Sequence, residues 1–520
     1  MGEIAPRVVT AKDKDFCHNL RKYFREFTEV TGIHGLRYVS EKRSRTEKVI
    51  WVIILLISLG GCIYMIYEVL DKYNKSPVVV SFATEDTPLY QIAFPAVTIC
   101  PESKYSREKF NYSGVYSKLV EEESVTIDER RKFDYLSMLC DDSPDNVATT
   151  QNFGNEFYEI IHKMKLNQSE LFPLCIFDNK FTECDRIFTP IFIDEGICYS
   201  FNIQGAHEIF RDHVYNFKDY YKVSNNSEKY FDPEFGYRPS AGVHTYPRRA
   251  LRSGADSAFG IFFNYDTADT DFNCKNFLQG FRVLIHNSSN VPRVSEHYFR
   301  IPFDKVVVAA MEPVLVVTSQ NVRGFRPEKR KCFMRNERFL KHFLYYSQPN
   351  CMLECLTNYT LAKCGCVQFY MPRDNSTLIC GPNSEQCTEN AESEMQIKDL
   401  EYRISGRSLC DCKPTCTNMK YNVETSHSDF YFKEYFKVHN EFNLGDGGHW
   451  SVLQLYFKDE QFMTMERNEL YGISDLISNL GGLLGLFTGF SLVTMAEIIY
   501  FCSLRVVYNR RLYGLWSGPN

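Results

Sequence analysis

The pattern of apolar and polar positions first reveals a long apolar stretch near the start of the chain. It extends from Val49 to Tyr67 and contains 19 residues without a charge. As a helix it would rise about 28 Å, which matches a hydrocarbon core of about 30 Å. A long polar and charged segment precedes it, with no small-residue cleavage site. The stretch therefore predicts a transmembrane helix over residues 49–67 rather than a cleaved signal peptide.

A second apolar stretch lies near the other end of the chain, from about Leu476 to Leu504. It is longer than one span requires, has Asp475 at its edge and contains Glu497. An ionisable group at membrane depth is costly, so it usually faces a protein interior or an aqueous path. Residues 472–504 are therefore predicted to form a second transmembrane helix whose Glu497 faces a protein interior or an aqueous path.

The charges that flank the two stretches predict their orientation. Residues 1–48 contain eleven Lys and Arg against seven Asp and Glu, and the tail of residues 505–520 contains three Arg and no acid. Segments of membrane proteins that flank a span on the cytoplasmic side contain an excess of Lys and Arg. Both termini are therefore predicted to be cytoplasmic, and residues 68–471 to be extracellular.

Two further features of the middle segment agree with an extracellular location. Sixteen of the nineteen cysteines lie between the spans, which is typical of an oxidising compartment. The same segment holds the Asn-x-Ser/Thr glycosylation acceptors Asn111, Asn167, Asn225, Asn287, Asn358 and Asn375, with Asn74 close to the membrane. Between residues 49 and 504 there are 58 acidic and 45 basic residues, so the surface favours solubility, and no nucleic-acid partner is expected.

Short β-branched and aromatic runs bounded by turn residues predict strands throughout the middle segment. The runs are VVVSFA, FPAVTIC, RIFTPIFI, FGIFFNY, FRVLIHN, DKVVVAA and PVLVVTS. Helical patterns are clearest over Ser117–Tyr135 and Tyr345–Lys363. The segment is predicted to be an α+β domain with a mainly antiparallel sheet.

Cysteines are densest between Cys332 and Cys416, where ten occur in one small lobe. A CxxxC spacing followed by CxC could suggest zinc. The oxidising compartment and the lack of paired histidines instead favour disulfides that fasten helices with little core of their own. No metal site is expected.

Small residues recur through the second span at Ser474, Ser478, Gly481, Gly485 and Gly489. Spacings of three and four place them on one stripe of a helix, which allows close helix packing. Three symmetry-related copies meeting at such a stripe would instead form a constriction that suits a partly dehydrated small cation. Ordinary packing and a pore constriction both remain open from the spacing alone.

The motifs in chain order resemble the degenerin/epithelial sodium channel family. They are TGIHGLRY before the first span, FPAVTICP around Cys100, GICYSFN around Cys198, YYSQPNCMLECLTNYTLAKCGC from Tyr345, CDCKPTC from Cys410, and GLLGLFTGFSLVTMAE in the second span. The phrases GFRVLIHN, RPEKRKC and FYMP are most similar to the insect pickpocket branch.

The resemblance implies the fold and the function. The outer domain would have the hand-like palm, finger, knuckle, β-ball and thumb, with residues 332–416 as the thumb. Three subunits, identical or related, would surround a pore in the plasma membrane that conducts Na⁺, without a cofactor. Such a channel would be sodium-selective, amiloride-sensitive and voltage-independent, and gated by a sensory, ligand or mechanical stimulus.

The resemblance also implies the disulfide pairs. In the palm and finger they are Cys100–Cys198 and Cys175–Cys184. In the thumb they are Cys332–Cys416, Cys351–Cys412, Cys355–Cys410, Cys364–Cys387 and Cys366–Cys380. Cys140 and Cys274 are left over and pair by elimination only.

Pore residues carry over from the resemblance as well. Gly489, Phe490 and Ser491 fall at the Gly-x-Ser selectivity filter, and a break there would free backbone carbonyls to line a wet pore. Glu497 would form a ring of carboxylates below that filter. Ser478 falls at the gate position with Gly485 on the same stripe, and His34 and Gly35 would lie in a re-entrant segment beneath the filter.

Two positions depart from acid-sensing members of the family. The aromatic that couples the thumb to the first span is Lys329 here, and the acidic residue after the pore glutamate is Tyr500. These departures weaken an inference of proton gating.

Two other function classes are compatible with parts of the sequence. An ATP-gated cation channel shares two spans and a disulfide-rich exterior but needs clustered outer lysines and a different cysteine pattern. A membrane-anchored ectoenzyme needs a catalytic motif. The sequence has no phosphate-binding loop, HExxH or nucleophile elbow, and an anchor does not require Glu497.

Overall fold

The computed structural model describes residues 16–75, 77–140, 151–223, 230–274, 279–439 and 448–518. The chain divides into two compact units, which we call the helical unit (Met1–Val79 and Asn468–Asn520) and the large unit (Val80–Arg467). The predicted glycosylation acceptor Asn225 lies outside the described residues.

The described residues form sixteen α-helices. In chain order they are α1 Phe16–Val30, α2 Leu36–Ser40, α3 Arg45–Lys75, α4 Tyr112–Val120, α5 Ile127–Ser137, α6 Glu156–Met164, α7 Gln168–Leu171, α8 Ala206–Ile209, α9 Gln320–Arg323, α10 Pro327–Arg330, α11 Gln348–Cys364, α12 Glu385–Ile404, α13 Phe432–His439, α14 Ile473–Thr488, α15 Leu492–Cys502 and α16 Leu504–Tyr513.

Seventeen strands are present in the same residues. They are β1 Val78–Phe82, β2 Thr87–Pro88, β3 Ala96–Pro101, β4 Leu174–Phe177, β5 Lys180–Thr182, β6 Phe188–Ile193, β7 Gly196–Phe201, β8 Phe231–Asp232, β9 Gly236–Tyr237, β10 Phe259–Asp266, β11 Phe281–His286, β12 Phe299–Ile301, β13 Lys305–Thr318, β14 Asn418–Asp429, β15 Gly448–Phe457, β16 Gln461–Phe462 and β17 Met465–Glu469.

Two stretches of the helical unit are apolar enough to cross a membrane. Helix α3 alone is long and apolar enough, and α14 and α15 are so only when taken together as a pair that is bent by 70°. Helix α3 is longer than the apolar stretch 49–67, since its polar flanks are also helical. In the last turns of the helix, Asp71 and Lys75 form an ion pair at 2.9 Å, and this spacing of four residues stabilises a helix.

The large unit contains two main sheets. The first has the order β1-β17-β13-β15-β10-β4-β5, with β14 also paired to β13, and the second has the order β12-β11-β3-β7-β6. Pairing is antiparallel except where β13 runs parallel to β15 and to β17. The predicted disulfide-rich α+β domain with a mainly antiparallel sheet is confirmed.

The two predicted strands DKVVVAA and PVLVVTS form one strand, β13, which continues through Pro313. A proline is normally excluded from a central strand because it has no N–H to donate. Strand β15 pairs with β13 as far as Met311, and β17 pairs with it from Val316 onward. Pro313 lies between these two partners, so its missing N–H removes no hydrogen bond from either ladder.

Aromatic rings fill the core of the large unit. Phe201 stacks on Phe259 with ring centroids 4.3 Å apart, and Phe94 packs edge-on against both rings. Such pairs contribute about 0.5–1.5 kcal/mol beyond the burial of their surface. Aromatic residues are therefore a major component of this core.

The helical pattern predicted over Ser117–Tyr135 is interrupted, and the prediction of one continuous stretch is wrong there. Helix α4 ends at Val120, and Glu122 adopts a positive φ of 57°. A new helix then begins because Thr126 and Glu129 form a capping box: the Glu129 N–H donates to Thr126 Oγ1 at 3.2 Å, and the Thr126 N–H donates to Glu129 Oε2 at 2.9 Å. Threonine followed three residues later by glutamate is a recognisable start signal.

The helix predicted over Tyr345–Lys363 forms as α11, which starts three residues later. Ser347 caps its N-terminus by accepting the Asn350 N–H at 3.3 Å, and Gly365 ends it at a φ of 73°. Cys351 and Cys355 lie one turn apart on this helix and form disulfides with Cys412 and Cys410 of one irregular segment.

All sixteen cysteines between the apolar stretches form disulfides. The pairs are Cys100–Cys198, Cys140–Cys274, Cys175–Cys184, Cys332–Cys416, Cys351–Cys412, Cys355–Cys410, Cys364–Cys387 and Cys366–Cys380. Seven of them coincide with the pairs that the family resemblance implied, and the eighth joins Cys140 to Cys274, which had been paired by elimination only. A bridge of this kind typically stabilises a fold by about 2–4 kcal/mol.

One buried carboxylate, that of Asp271, connects several segments of the large unit. It accepts hydrogen bonds from the Tyr105 hydroxyl at 2.5 Å, the Asn273 N–H at 3.0 Å and the Ser113 N–H at 3.1 Å. Ser113 lies at the start of α4, where the helix dipole favours a negative charge. Burial acts to raise the pKa of Asp271, but hydrogen bonds from Ser113 and Tyr105 outweigh it and lower the pKa.

We predict that Asp271→Asn destabilises the large unit by about 1–3 kcal/mol near neutral pH, because a charged acceptor is lost from a buried cluster. The folded pKa is depressed below the unfolded value of about 4, so the contribution is present above pH 4 and declines as pH falls through the folded pKa. Thermal unfolding of the purified chain between pH 3 and pH 7 measures this. The exposed Asp256→Asn is the control, and a wild-type-to-variant difference that grows below pH 4 would contradict the assignment.

Candidate pore site

The second apolar stretch is broken at the three residues predicted to form the filter. Helix α14 ends at Thr488, and Gly489 follows with a φ of 70°, its N–H donating to the Gly485 carbonyl at 2.9 Å. Helix α15 begins after Ser491, whose hydroxyl accepts the Thr494 N–H at 3.2 Å. A glycine after a helix and a serine before the next are strong stop and start signals, so the sequence itself specifies the break at Gly489, Phe490 and Ser491.

The segment between α1 and α2 lies directly against this break. The His34 N–H donates to the Thr488 carbonyl at 3.0 Å. A Cβ atom on Gly489 would lie 2.6 Å from His34 Cδ2 and 2.8 Å from the Gly32 carbonyl oxygen, closer than real Cβ atoms approach. Gly489 is therefore required for two reasons, its backbone conformation and the closeness of residues 32–34.

Gly35 fixes the same segment to the first apolar helix. It has a φ of 80° and stands at the start of α2, and a Cβ there would meet Leu55 Cδ2 of α3 at 3.2 Å. One turn along α2, Tyr38 stacks on Trp51 of α3 with centroids 4.4 Å apart. The His34-Gly35 pair is thus held between α3 and the break in the second stretch.

Glu497 lies in α15 and also contacts this segment. Its Oε2 accepts the Gly32 N–H at 3.3 Å, and the residue is half-exposed. Among the described residues no lysine or arginine forms an ion pair with it. Gly32 is itself confined, because a Cβ would stand 3.0 Å from Thr494 Oγ1.

One face of α14 packs against α3. Ser58 donates to the Phe487 carbonyl at 2.5 Å, and Cys62 Sγ lies 3.9 Å from the Leu483 carbonyl oxygen. Gly61 makes room for the Phe487 ring, since a Cβ would lie 3.2 Å from it. Leu483 and Phe487 therefore mark the side of α14 that faces α3.

The stripe of small residues lies on the opposite side of α14. At about 100° per residue, Ser474, Ser478, Gly481 and Gly485 cluster roughly 160–220° from Leu483. Ser474, Ser478 and Gly481 are exposed, and a Cβ on Gly481 would meet no atom within 4 Å. Packing against α3 therefore does not account for the stripe, which leaves an open, narrow surface on the single chain.

Contacts near the two ends of the chain were missed by the sequence analysis, which counted only their charges. The Tyr23 hydroxyl donates to the Phe501 carbonyl at 2.5 Å, and Glu26 forms an ion pair with Arg505. Tyr23 and Phe27, four positions apart in α1, both pack on Phe501 and were a usable signal of a packing face. Gly32 was also missed, although it belongs to the same TGIHG motif.

The predicted glycosylation acceptors of the large unit differ in exposure. Asn111, Asn167, Asn358 and Asn375 are exposed, and Asn287 is half-buried. Asn111 also caps α4 by accepting the Gly114 N–H at 3.0 Å. Four of the described acceptors are therefore accessible to a glycosylating enzyme.

Comparison with known proteins identifies the class to which this site belongs. The model of a family described as amiloride-sensitive sodium channel matches residues 27–501. The chain therefore belongs to this family, which consists of ion channels rather than enzymes, and it is a subunit of a sodium-permeable cation channel.

Individual relatives narrow the position within the family. Pickpocket protein 28 of Drosophila melanogaster is 26% identical over 487 residues, covering 91% of this chain and 77% of that protein. Sodium channel protein Nach of Drosophila melanogaster is 23% identical over 519 residues, covering 98% and 92%. Acid-sensing ion channel 2 of Rattus norvegicus is 24% identical over 487 residues, covering 91% and 84%. The resemblance to the insect pickpocket branch is confirmed.

We predict that Gly489→Ala reduces current and alters the ratio of sodium to potassium permeability. The substitution strains a left-handed residue by about 1–2 kcal/mol and displaces His34 or the Gly32 carbonyl. Reversal potentials and current per unit of surface protein measure this in voltage-clamped cells.

Gly482→Ala is the matched control, since it lies within helix α14 and its Cβ would meet no atom within 4 Å. It is expected to behave as wild type. A Gly489→Ala channel with normal current and permeability would show that the contact with His34 does not shape the conducting path.

Proposed function

We propose that this chain is one subunit of a trimeric, sodium-selective and voltage-independent channel of the plasma membrane that amiloride blocks. Helix α3 and the bent pair α14–α15 cross the membrane, both termini are cytoplasmic, and the large unit is extracellular. The observation that supports this proposal most strongly is the open stripe of small residues on α14, opposite the face that packs on α3.

Threefold assembly gives that stripe a partner. Most oligomers close by cyclic symmetry, and three copies of α14 that meet at Ser478, Gly481 and Gly485 approach closely because no large side chain intervenes. The walls of the passage are then backbone and small polar groups. A narrow passage of this kind replaces part of the hydration shell of a small cation. The subunits are identical or related.

Selectivity is proposed to arise at the break between α14 and α15. Non-helical backbone at membrane depth is tolerated where it lines a wet cavity, and Gly489, Phe490 and Ser491 provide such backbone. Three subunits contribute a ring of carbonyl and hydroxyl oxygens. Three copies of Glu497 add a ring of carboxylates on the cytoplasmic side, which concentrates cations and excludes anions.

The arrangement around His34 supports a role in shaping the inner pore. His34 and Gly32 contact both the break and α15, so a displacement of the N-terminal segment reaches the filter and Glu497 together. The gate responds to a sensory, chemical or mechanical stimulus. The exposed acceptors and the disulfides of the large unit support its extracellular location.

Ion substitution under voltage clamp in oocytes tests the function. The chain is expressed alone and together with related subunits while sodium, potassium and chloride are exchanged in turn. We expect the reversal potential to follow sodium, amiloride to block the current, and Ser491→Cys to change the preference for sodium over potassium. A reversal potential that follows chloride, or one that Ser491→Cys leaves unchanged, would contradict the proposed filter.

Ser478 provides the sharpest test of the gate. It lies on the open stripe of α14, eleven residues before Gly489, and is exposed in the single chain. Valine or phenylalanine cannot enter a close three-helix contact without strain of about 1–3 kcal/mol per site. The strain in three copies adds up and destabilises the closed state. It can therefore reverse a free-energy difference of a few kcal/mol between the closed and open states.

We therefore expect Ser478→Val and Ser478→Phe to produce a resting sodium current without a stimulus, normalised to surface protein. Asn479→Val is the neighbouring control, because Asn479 is exposed but lies about 100° round α14 from Ser478 and off the stripe, and it is expected to stay silent at rest. Silence from well-expressed Ser478 variants of a conducting subunit would remove the gate assignment.

A further inference from the structure

A basic cavity of about 230 Å³ opens on the large unit, and none of its lining residues belongs to the proposed pore. Its walls come from the β4–β5 hairpin and from the segment of residues 243–251. The polar residues among them include Lys180, His244, Arg248 and Arg249, with Asp178 as the single acid. Such an excess of positive charge is unusual, because acidic residues outnumber basic ones between the two apolar stretches.

The hairpin forms a rigid side of this cavity. Asp178 and Asn179 both have positive φ values, of 52° and 57°, and form the tight two-residue turn between the strands. Lys180 is the first residue after the turn, directly opposite Phe177. The disulfide Cys175–Cys184 closes the base of the hairpin.

Arg248 is held in place by its backbone rather than by its side chain. Its N–H donates to Asn202 Oδ1 at 2.6 Å, and its carbonyl accepts the Phe94 N–H at 2.8 Å. The guanidinium lies 5.2 Å from the centre of the Phe177 ring. The backbone of Arg248 is therefore fixed before any ligand arrives, and the Phe177 ring is the contact of its guanidinium in the cavity.

The Arg248 guanidinium has no carboxylate partner within 4.0 Å in the part of the chain that the structure describes. Partial burial lowers the pKa of Arg248. Lys180 is exposed and likewise forms no ion pair among those residues. Arg248 is half-buried, and a guanidinium that has no carboxylate partner is free to form charge-assisted hydrogen bonds with an anion.

Arg249 has a different role in the same wall. Its guanidinium donates to the carbonyls of Tyr90 at 2.7 Å, Ala241 at 3.1 Å and Gly242 at 3.2 Å. It therefore ties the segment 243–251 to the rest of the large unit, while its charge adds to the positive potential of the cavity.

Apolar side chains complete the cavity and define the rest of the ligand. Phe177, Phe181, Ile187, Val243 and Leu251 line it together with the basic groups. Its volume is below the roughly 300–1,000 Å³ of pockets for drug-sized ligands. An inorganic anion would leave the apolar walls without contacts. A small organic anion would contact the basic groups with its charge and the apolar walls with its carbon skeleton.

We propose that this cavity binds a small amphipathic organic anion, with its carboxylate or sulfonate at Arg248 and Lys180 and its apolar body against Phe177, which shares a face of the hairpin with Lys180. The site is distinct from the proposed pore, and its occupancy can be measured without recording any current. Failure of the channel proposal therefore leaves this test intact.

The experiment measures binding of phenylacetate to the purified full-length protein in detergent micelles by ligand-observed NMR, with empty micelles as the baseline. Phenylacetamide, phenethylamine and inorganic sulfate are matched probes that remove the charge, reverse it, or remove the apolar body. We expect phenylacetate to bind more tightly than all three.

Variants locate the site. We expect Arg248→Gln to weaken phenylacetate binding by roughly tenfold or more, because a charge-assisted hydrogen bond is lost, and Lys180→Gln to weaken it by a smaller factor. Arg407→Gln, an exposed arginine in the cysteine-rich lobe, is the control and should leave binding unchanged. Should Arg248→Gln fail to fold, Lys180→Gln, at an exposed position, still decides the question.

Three results would overturn the proposal. The first is no binding of phenylacetate above the micelle baseline, and the second is binding that neither Arg248→Gln nor Lys180→Gln weakens. The third is equal binding of phenylacetamide, phenethylamine or sulfate, which would show that the charge or the apolar walls contribute nothing.

Discussion

The helical unit depends on one close contact, between Gly489 and the backbone of residues 32–34. The left-handed glycine ends α14 and turns the chain by 70° into α15, and the space that would hold its side chain is filled by His34 and Gly32. The same segment meets Glu497 through the Gly32 N–H and meets α3 through Gly35. Residues 32–35, α3 and the second apolar stretch are thereby held together at one turn.

The two units are built for different surroundings. The large unit buries stacked aromatic rings, the Asp271 cluster and eight disulfides, as a domain in water must. In α3, Cys62 is the one buried residue, and α14 has none, although both helices are apolar. Helices that expose apolar side chains in one chain require lipid or further subunits to cover them.

Much of this structure could be predicted from local patterns, because those patterns act over one or two turns. The apolar stretch 49–67, the stop and start signals at Gly489 and Ser491, and the cap of α11 are of this kind. The capping box of Thr126 and Glu129 was equally local and was overlooked, so one helix was predicted where two form.

Other features could not be predicted, since they depend on residues brought together by the fold. The hydrogen bond from Gly32 to Glu497 joins positions 465 residues apart. The disulfide pairs were available from the family resemblance and not from cysteine spacing. In the sequence, Pro313 indicates that its segment is not a central strand. The structure shows why a central strand is possible: the parallel partners β15 and β17 pair with β13 only before and after this residue. Lys180 and Arg248 share a cavity only because β4 and β5 fold back beside the later segment.

The position of β15 in the larger sheet determines when that sheet can be completed. Strand β15 lies between β10 and β13 but is encoded after both of them and after the entire cysteine-rich lobe. During synthesis β10 and β13 therefore present unpaired edges, while the lobe of residues 332–416 has all its cysteines available to close. The disulfides of this lobe can thus form before the larger sheet is complete. The emerging chain needs protection of those edges until residue 457 has left the ribosome.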